Sequence, residues 1–473
     1  MTSTSKQSSK VTVLLPDIPK REFLLTDFGA VGDGQFVCTS AFQEAIEACS
    51  KAGGGKVIVP PGIWLTGPIA LKSKLNLHLE KGALLLFSRN FDDYPLILSS
   101  FEGEEIVRCK SPLDGENLDH VAITGEGVID GSGDAWRPVK KFKMTEIQWN
   151  KLIERGGIVD HSGKEVIWWP TEAAMRGRQR YAELRAQKTD KVEDFLAIRD
   201  FLRPNLLSLR KCKHILLDGP TFQNSPAWNL HPWICEHVTV RNVTVRNPWF
   251  GQNGDGLDLE SCRYALVENS IFDVGDDAIC IKSGKDEAGR KLGIPCEDIE
   301  IRGCQVYSGH GGFVIGSEMS GGARNISVSD CSFFGTDVGL RFKSTRGRGG
   351  LIENITIDNI RMNNIAKEAI VFHMFYEISD EDIAATQVPV SDETPIFRNI
   401  SINNVACTGS GTALLLKGLP EMPLEKLVFE NITAKSTKGI IGSHCKNVHF
   451  SNIMLETEEG PLFTFENFEE MTY

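Results

Sequence analysis

From residue 214 onward one short phrase keeps returning: HILLDG, HVTVRN, YALVEN, DIEIRG, NISVSD, NITIDN, NISINN, KLVFEN and NVHFSN. Each copy alternates β-branched or aliphatic residues with polar ones and closes on Asn, Asp or Gly, the pattern of a half-buried strand followed by a turn. The corresponding residues Ile215, Val238, Ala265, Ile299, Ile326, Ile355, Ile400, Leu427 and Val448 are mostly about 21–34 positions apart, with one longer gap, the period of a solenoid coil. A lone strand of this kind cannot bury its apolar face, but a stack of them can. The pattern therefore predicts an all-β chain wound as a single-stranded parallel β-helix. The runner-up, a β-propeller, needs about 40 residues and four strands per blade, with hairpin signals that are scarce here.

Stacking lets one core run the length of a 473-residue chain, so residues 1–473 are expected to form a single domain. Within residues 22–57, Ser40 and Gln43 have the spacing of a capping box. Phe42, Ala45, Ile46 and Cys49 then share one helical face before Gly53-Gly54-Gly55 stops it. Such a helix would cover the open end of the first coil. Between 133 and 203 the strand phrase disappears and Lys-, Arg- and Glu-rich text with helical spacing replaces it, an insertion of the kind that shapes a binding site or merely decorates a scaffold. Residues 204–473 are the regular coils. Five Asn-x-Ser/Thr matches, at Asn242, Asn325, Asn354, Asn399 and Asn431, are expected to be turn and ladder residues rather than glycosylation acceptors.

A formal net charge of −12 argues against a nucleic-acid partner or a membrane surface, which favour a basic face. No segment approaches a membrane span, and the amino terminus MTSTSKQSSKVTVLLP has no signal-peptide core. The twelve cysteines show no metal-ligand spacing. Those beside strands, Cys262, Cys304, Cys331, Cys407 and Cys445, are expected to be small apolar core residues.

Residues one coil apart lie about 4.8 Å above one another, and at that spacing the polar exceptions line up. Asn253 and Asp255 precede Asp276 and Asp277 by one coil, His310 follows by one, and Arg341 and Lys343 follow by another. Neighbouring side chains on a strand point to opposite faces, so Asp276 and Asp277 share a site only if the backbone bends, which Gly275 would permit. Three crowded carboxylates beside an imidazole keep one proton near neutral or mildly acidic pH. An acid paired with a base is what glycosidic cleavage needs, at about 6.5–9.5 Å for inversion and about 5–5.5 Å for retention. Arg341 and Lys343 alternate on a strand and, with Lys282, form the basic cluster that an acidic protein needs to hold a carboxylated sugar. Trp228, Trp233 and Trp249 suit either stacking on sugar rings or packing.

In this order Asn253-Gly254-Asp255, Asp276-Asp277, Gly309-His310-Gly311 and Arg341-Phe342-Lys343 resemble the polygalacturonases and related pectin hydrolases of glycoside hydrolase family 28. The opening DFGAVGDG…GGGKVIVPPGIWLTGPI and the segment SPAWNLHP are similar as well, so the resemblance covers nearly the whole chain. It implies a right-handed helix of the pectin-lyase type and inverting, metal-free hydrolysis of α-1,4-galacturonosidic bonds in pectin, without a cofactor. By the same resemblance Asp276 is the general acid, Asp255 and Asp277 activate water, and His310 supports the acid. Arg341, Lys343, Lys282, Asn253 and the downstream Tyr376 are expected on the substrate side. The 133–203 insertion resembles that of bacterial exo-acting members, which release galacturonic acid, and the family implies a periplasmic or secreted location, with the cytoplasm as the alternative. Competing readings are a hydrolase of rhamnogalacturonan or another branched pectin, a calcium-dependent pectate lyase, and a non-catalytic carbohydrate-binding β-helix. The lyase reading leaves His310 without a task.

Overall fold

The computed structural model describes residues 11–376 and 388–473; residues 1–10, which open the segment read for a signal, lie outside it. Among the described residues 31 strands join in one parallel network. A representative coil runs through Arg263–Glu268, Ile271–Asp273 and Asp277–Lys282, and each strand pairs with its counterpart one coil on, in Cys296–Arg302, Gln305–Ser308 and Gly311–Ile315. Three ladders thus run the length of a parallel β-helix. The recurring residues stack as expected: Ile215 pairs with Val238, then Ala265, Ile299, Ile326, Ile355, Ile400 and Leu427.

Alternation explains the core. In Leu75–Leu79 the three leucines are buried while Asn76 and His78 are half-buried on the other face, and the inward residues of successive coils form continuous columns. Phe342 and Phe372 stack with ring centroids 4.2 Å apart, each adding about 1.5–3 kcal/mol of burial. All twelve cysteines are buried free thiols. The five sequon asparagines hold left-handed turns and donate their amides to the coil before: Asn242 to Asp218, Asn325 to Asp298, Asn354 to Asn325, Asn399 to Asn354 and Asn431 to Asn404. Their side chains are already spent on the solenoid.

The first helix, Thr39–Lys51, buries Phe42, Ala45, Ile46 and Cys49 as expected. Its capping box does not form. The helix begins two residues earlier, with Cys38 rather than Ser40 at the cap and no side-chain cap bond, and the Thr39 hydroxyl accepts from the Gly67 amide at 2.7 Å.

Two excursions leave the solenoid at the same corner, between a second-ladder and a third-ladder strand. One is an antiparallel hairpin, Leu96–Phe101 with Glu104–Cys109. The other lies between Val128–Asp130 and Leu207–Arg210 and carries helices Glu146–Glu154 and Glu172–Ala186, a three-stranded antiparallel sheet and the 3-10 segment Val192–Phe201. The two share an apolar cluster of Leu96, Val107, Trp136, Leu184, Phe195 and Leu202. Sharing that corner places both over the outer face of the third ladder.

Candidate active site

The same corner supplies the acids. Asp255 precedes strand Leu257–Glu260, Asp276 lies in the bend before Asp277–Lys282, and His310 sits just before Gly311–Ile315. Leu257 pairs with Ile279 and Asp277 with Gly311, so the three turns stack. One oxygen each of Asp255, Asp276 and Asp277 lies within 4.8 Å of the others. Gly275 is required for a reason other than the expected backbone freedom: a Cβ there would stand 2.4 Å from the Pro248 carbonyl and 2.8 Å from that of Gly251. Bare backbone lets the Asp276 turn close against the loop that carries Asp255.

His310 meets Asp276 twice. Its amide donates to the Asp276 carbonyl at 2.8 Å, and its Nδ1 lies 3.1 Å from the carboxylate. Asp277, almost wholly buried, accepts from Lys343 Nζ at 2.8 Å and Arg341 Nη1 at 3.4 Å. Those cations come from strand Val338–Lys343, two coils away, about 10 Å along the stack. The coil between presents Gly311, where a Cβ would clash with Val314 Cγ2 at 2.4 Å and would sit in ordinary contact with the Asp277 carboxylate at 3.4 Å and Arg341 Cβ at 3.6 Å. The second glycine of Gly-His-Gly thus lies between anion and cations, and it is the Val314 side chain that leaves no room for a Cβ there.

Burial pushes Asp255 well above the usual carboxylate range, and the charges of Asp276 and Asp258 add to the push. Burial also acts upward on Asp276, but the hydrogen bond and charge of His310, with Lys343 and Lys282 behind, bring it down to about 2. The Asp276 hydrogen bond in turn lifts His310 above its ordinary value. In the free protein, then, the environment favours the proton on Asp255 and the ionised form of Asp276, and it shifts His310 toward its protonated form.

A cleft of about 610 Å³ opens over His310, Arg341, Lys343 and Tyr376. The Tyr376 ring lies 5.5 Å from the Arg341 guanidinium and 5.1 Å from Lys343 Nζ. The facing wall is the large excursion, which contributes Lys140, Phe142 and Lys143, and Lys367 joins farther along. A chain with an excess of acid has gathered its cations here. The three carboxylates are close enough to share a metal ion, but their neighbours are ammonium, guanidinium and imidazole groups rather than the six to eight oxygens that calcium takes.

The sequence model of the glycosyl hydrolases family 28 matches residues 148–458. The chain belongs to that family. The crystal structure of a hyperthermoactive exopolygalacturonase from Thermotoga maritima superposes with a TM-score of 0.79 at 32% identity, covering 94% of each chain. An exo-poly-alpha-D-galacturonosidase of Dickeya chrysanthemi is 28% identical over 95% of this chain and 74% of its own, and a probable polygalacturonase of Vitis vinifera 29% identical over 86% and 73%.

In this family 28 hydrolase two expected substrate contacts are otherwise engaged. Lys282 does not face the cleft: it is buried, 2.9 Å from Glu318 and 3.7 Å from Asp258, with its ammonium 4.8 Å above the Trp228 ring. Burying a cation requires such partners. The Asn253 side-chain oxygen accepts from Arg203 at 2.8 Å. Trp228 and Trp233 are buried, Trp228 stacked on Phe101, whereas Trp249 is exposed. Sequence reading missed Asp258, Glu260 and His231, a buried polar layer beneath the acids in which His231 Nε2 lies 2.8 Å from Glu260, and the half-buried Glu318 beside it. The alternation in Leu257-Asp258-Leu259-Glu260 was the available signal, because its acids had to point away from the core on the strand that carries the site.

Proposed function

We propose that this chain hydrolyses α-1,4-galacturonosidic bonds of polygalacturonate and its oligomers, releasing galacturonic acid from chain ends with inversion. The observation that carries the reading is the pairing of three stacked carboxylates with a cationic cleft in an acidic protein. A sugar carboxylate entering between Arg341 and Lys343 competes with Asp277 for them. Partly released, Asp277 turns with Asp255 to hold the attacking water. The same neutralisation weakens the pull of Lys343 on Asp276, which takes up a proton and delivers it to the leaving oxygen, with His310 fixing its orientation. Before water is activated Asp255 gives up the proton it holds in the free protein, and the triad redistributes a proton rather than gaining one.

End-wise attack is supported by the exo-acting relatives, and the hairpin, whose Phe101 packs on Trp228 and whose Glu102 pairs with Lys285 at 3.2 Å, is the element proposed to close the groove on the side of the earlier coils. Inversion comes from the family resemblance, since the acid oxygens lie closer than the usual spacing for either outcome. A periplasmic or secreted location, as the family resemblance implies, completes the proposal.

The deciding experiment is incubation with polygalacturonic acid in excess EDTA. New reducing ends without ultraviolet absorbance, with monomer as the first product and its β-anomer seen by proton NMR, are expected. Absorbance appearing only on adding calcium would mean a lyase. Product from branched pectin alone would redirect the substrate, and no product from either would leave a binding role. Arg341→Ala is expected to raise KM for oligogalacturonides by about tenfold to a hundredfold, the worth of a charged hydrogen bond, with a smaller change in kcat. Unchanged kinetic constants would remove Arg341 from substrate binding.

A further inference from the structure

The large excursion does more than wall the cleft, because its last residues reach the loop that carries Asp255. Arg203 follows the segment Val192–Phe201, just before the chain rejoins the solenoid. Its Nη1 donates to the carbonyls of Gln252 at 2.9 Å and Pro226 at 3.0 Å, and its Nη2 to the Asn253 side chain at 2.8 Å. Its own carbonyl accepts from Arg108 of the hairpin. The Arg203 guanidinium therefore ties the large excursion to the Ser225–Asn229 turn and the loop that carries Asp255, and its carbonyl ties in the hairpin.

Its electrostatics are unusual for a residue serving only as a strut. Among the described residues no carboxylate forms an ion pair with Arg203, although the chain has acids to spare. Burial, with the like charges of Arg108 and Arg137, pulls its pKa down to about 9, and the attraction of Asp255 opposes them. The charge is solvated by loop carbonyls and is attracted by Asp255. Asn253 holds a left-handed backbone at φ 52°, and the clamp on Gln252 and Asn253 sets the direction from which the chain enters Asp255.

We propose that Arg203 is a positioning residue for Asp255: its fork holds the Gln252–Asn253 corner so that the carboxylate faces Asp276 and Asp277. The inference rests on the proposed hydrolysis only for its kinetic readout. It makes the excursion a part of the catalytic apparatus, since Arg203 touches Asp255 through the loop and not the sugar.

The test compares Arg203→Gln and Arg203→Lys with wild type. Arg203→Gln is expected to lower kcat by about a hundredfold, the scale of an ångström misplacement, with KM nearly unchanged and partial recovery on adding guanidinium. Loss of the nearby cation also raises the Asp255 pKa, so the acidic limb of the kcat profile moves to higher pH. Arg203→Lys keeps the charge and loses the fork: its kcat falls, but its acidic limb stays near that of wild type. Melting temperature and folded fraction are measured for both. A loss that vanishes on normalising to folded protein, with an unmoved limb, would reduce Arg203 to a strut; if Arg203→Gln does not fold, a fully active Arg203→Lys overturns the proposal. Hydrogen exchange of the peptide spanning 247–257 supplies a readout independent of substrate. Faster exchange there than elsewhere in the variants supports the clamp even if the wild type cleaves no galacturonide, and unchanged exchange counts against it.

Discussion

Asp276→Asn is expected to lose about 10²–10⁴ of kcat on polygalacturonate, the range for a positioned proton donor, while its Kd for oligogalacturonides barely moves. Asparagine is isosteric and still accepts a hydrogen bond from the Asp277 amide, which Asp276 takes at 3.0 Å in the wild type, so the bend survives. What disappears is the proton and the negative charge facing His310. A galacturonide with a nitrophenol leaving group separates this role from water activation, because nitrophenolate departs unassisted. Asp276→Asn should recover most of its rate on that substrate, and Asp255→Asn should not, since water must still be deprotonated. The opposite pattern would transfer the acid role to Asp255, the carboxyl that burial keeps protonated in the free protein. Wild-type turnover by Asp276→Asn on polygalacturonate would remove it from the chemistry.

What sequence could reveal was what repeats. A strand that alternates and recurs exposes both its register and its inward face, so Ile215 through Leu427 could be stacked before any coordinate was known, and the acids, His310, Arg341 and Lys343 fell into one column by the same count. What stayed hidden depends on contacts between segments far apart in the chain. The hairpin at Leu96–Cys109 has no helical or solenoid period, and its place is set by Phe101 meeting Trp228 and by its shared core with Leu184 and Phe195. Lys282 reads as a substrate-side cation because nothing near it announces Glu318, thirty-six residues on. Arg203 lies fifty residues from the Asn253 it holds. The capping box failed because the helix starts at Thr39, which places Ser40 inside its first turn, and Thr39 itself is held by the Gly67 amide just beyond strand Gly62–Thr66.

Asp277→Ala is expected to be the most destabilising single change in the site. Asp277 is buried against Lys343, itself nearly buried, and Arg341, which is about one-fifth exposed. Its removal leaves a buried ammonium without a counter-ion, which costs about 3–5 kcal/mol when a buried pair is broken from one side. Adding Lys343→Met removes the orphaned charge, fills its volume with an apolar stem and should recover much of the lost melting temperature. Activity should not return, because the double variant lacks both the carboxylate that helps hold water and a cation that grips the sugar acid. Stability and turnover then separate along the same pair of residues, as expected if Asp277 keeps the cations poised until substrate displaces it. If Asp277→Ala melts like wild type, the charge is dispersed through Arg341 and solvent, and Asp277 is no placeholder. If the double variant regains turnover with stability, Asp277 serves only to neutralise Lys343, and the water belongs to Asp255 alone.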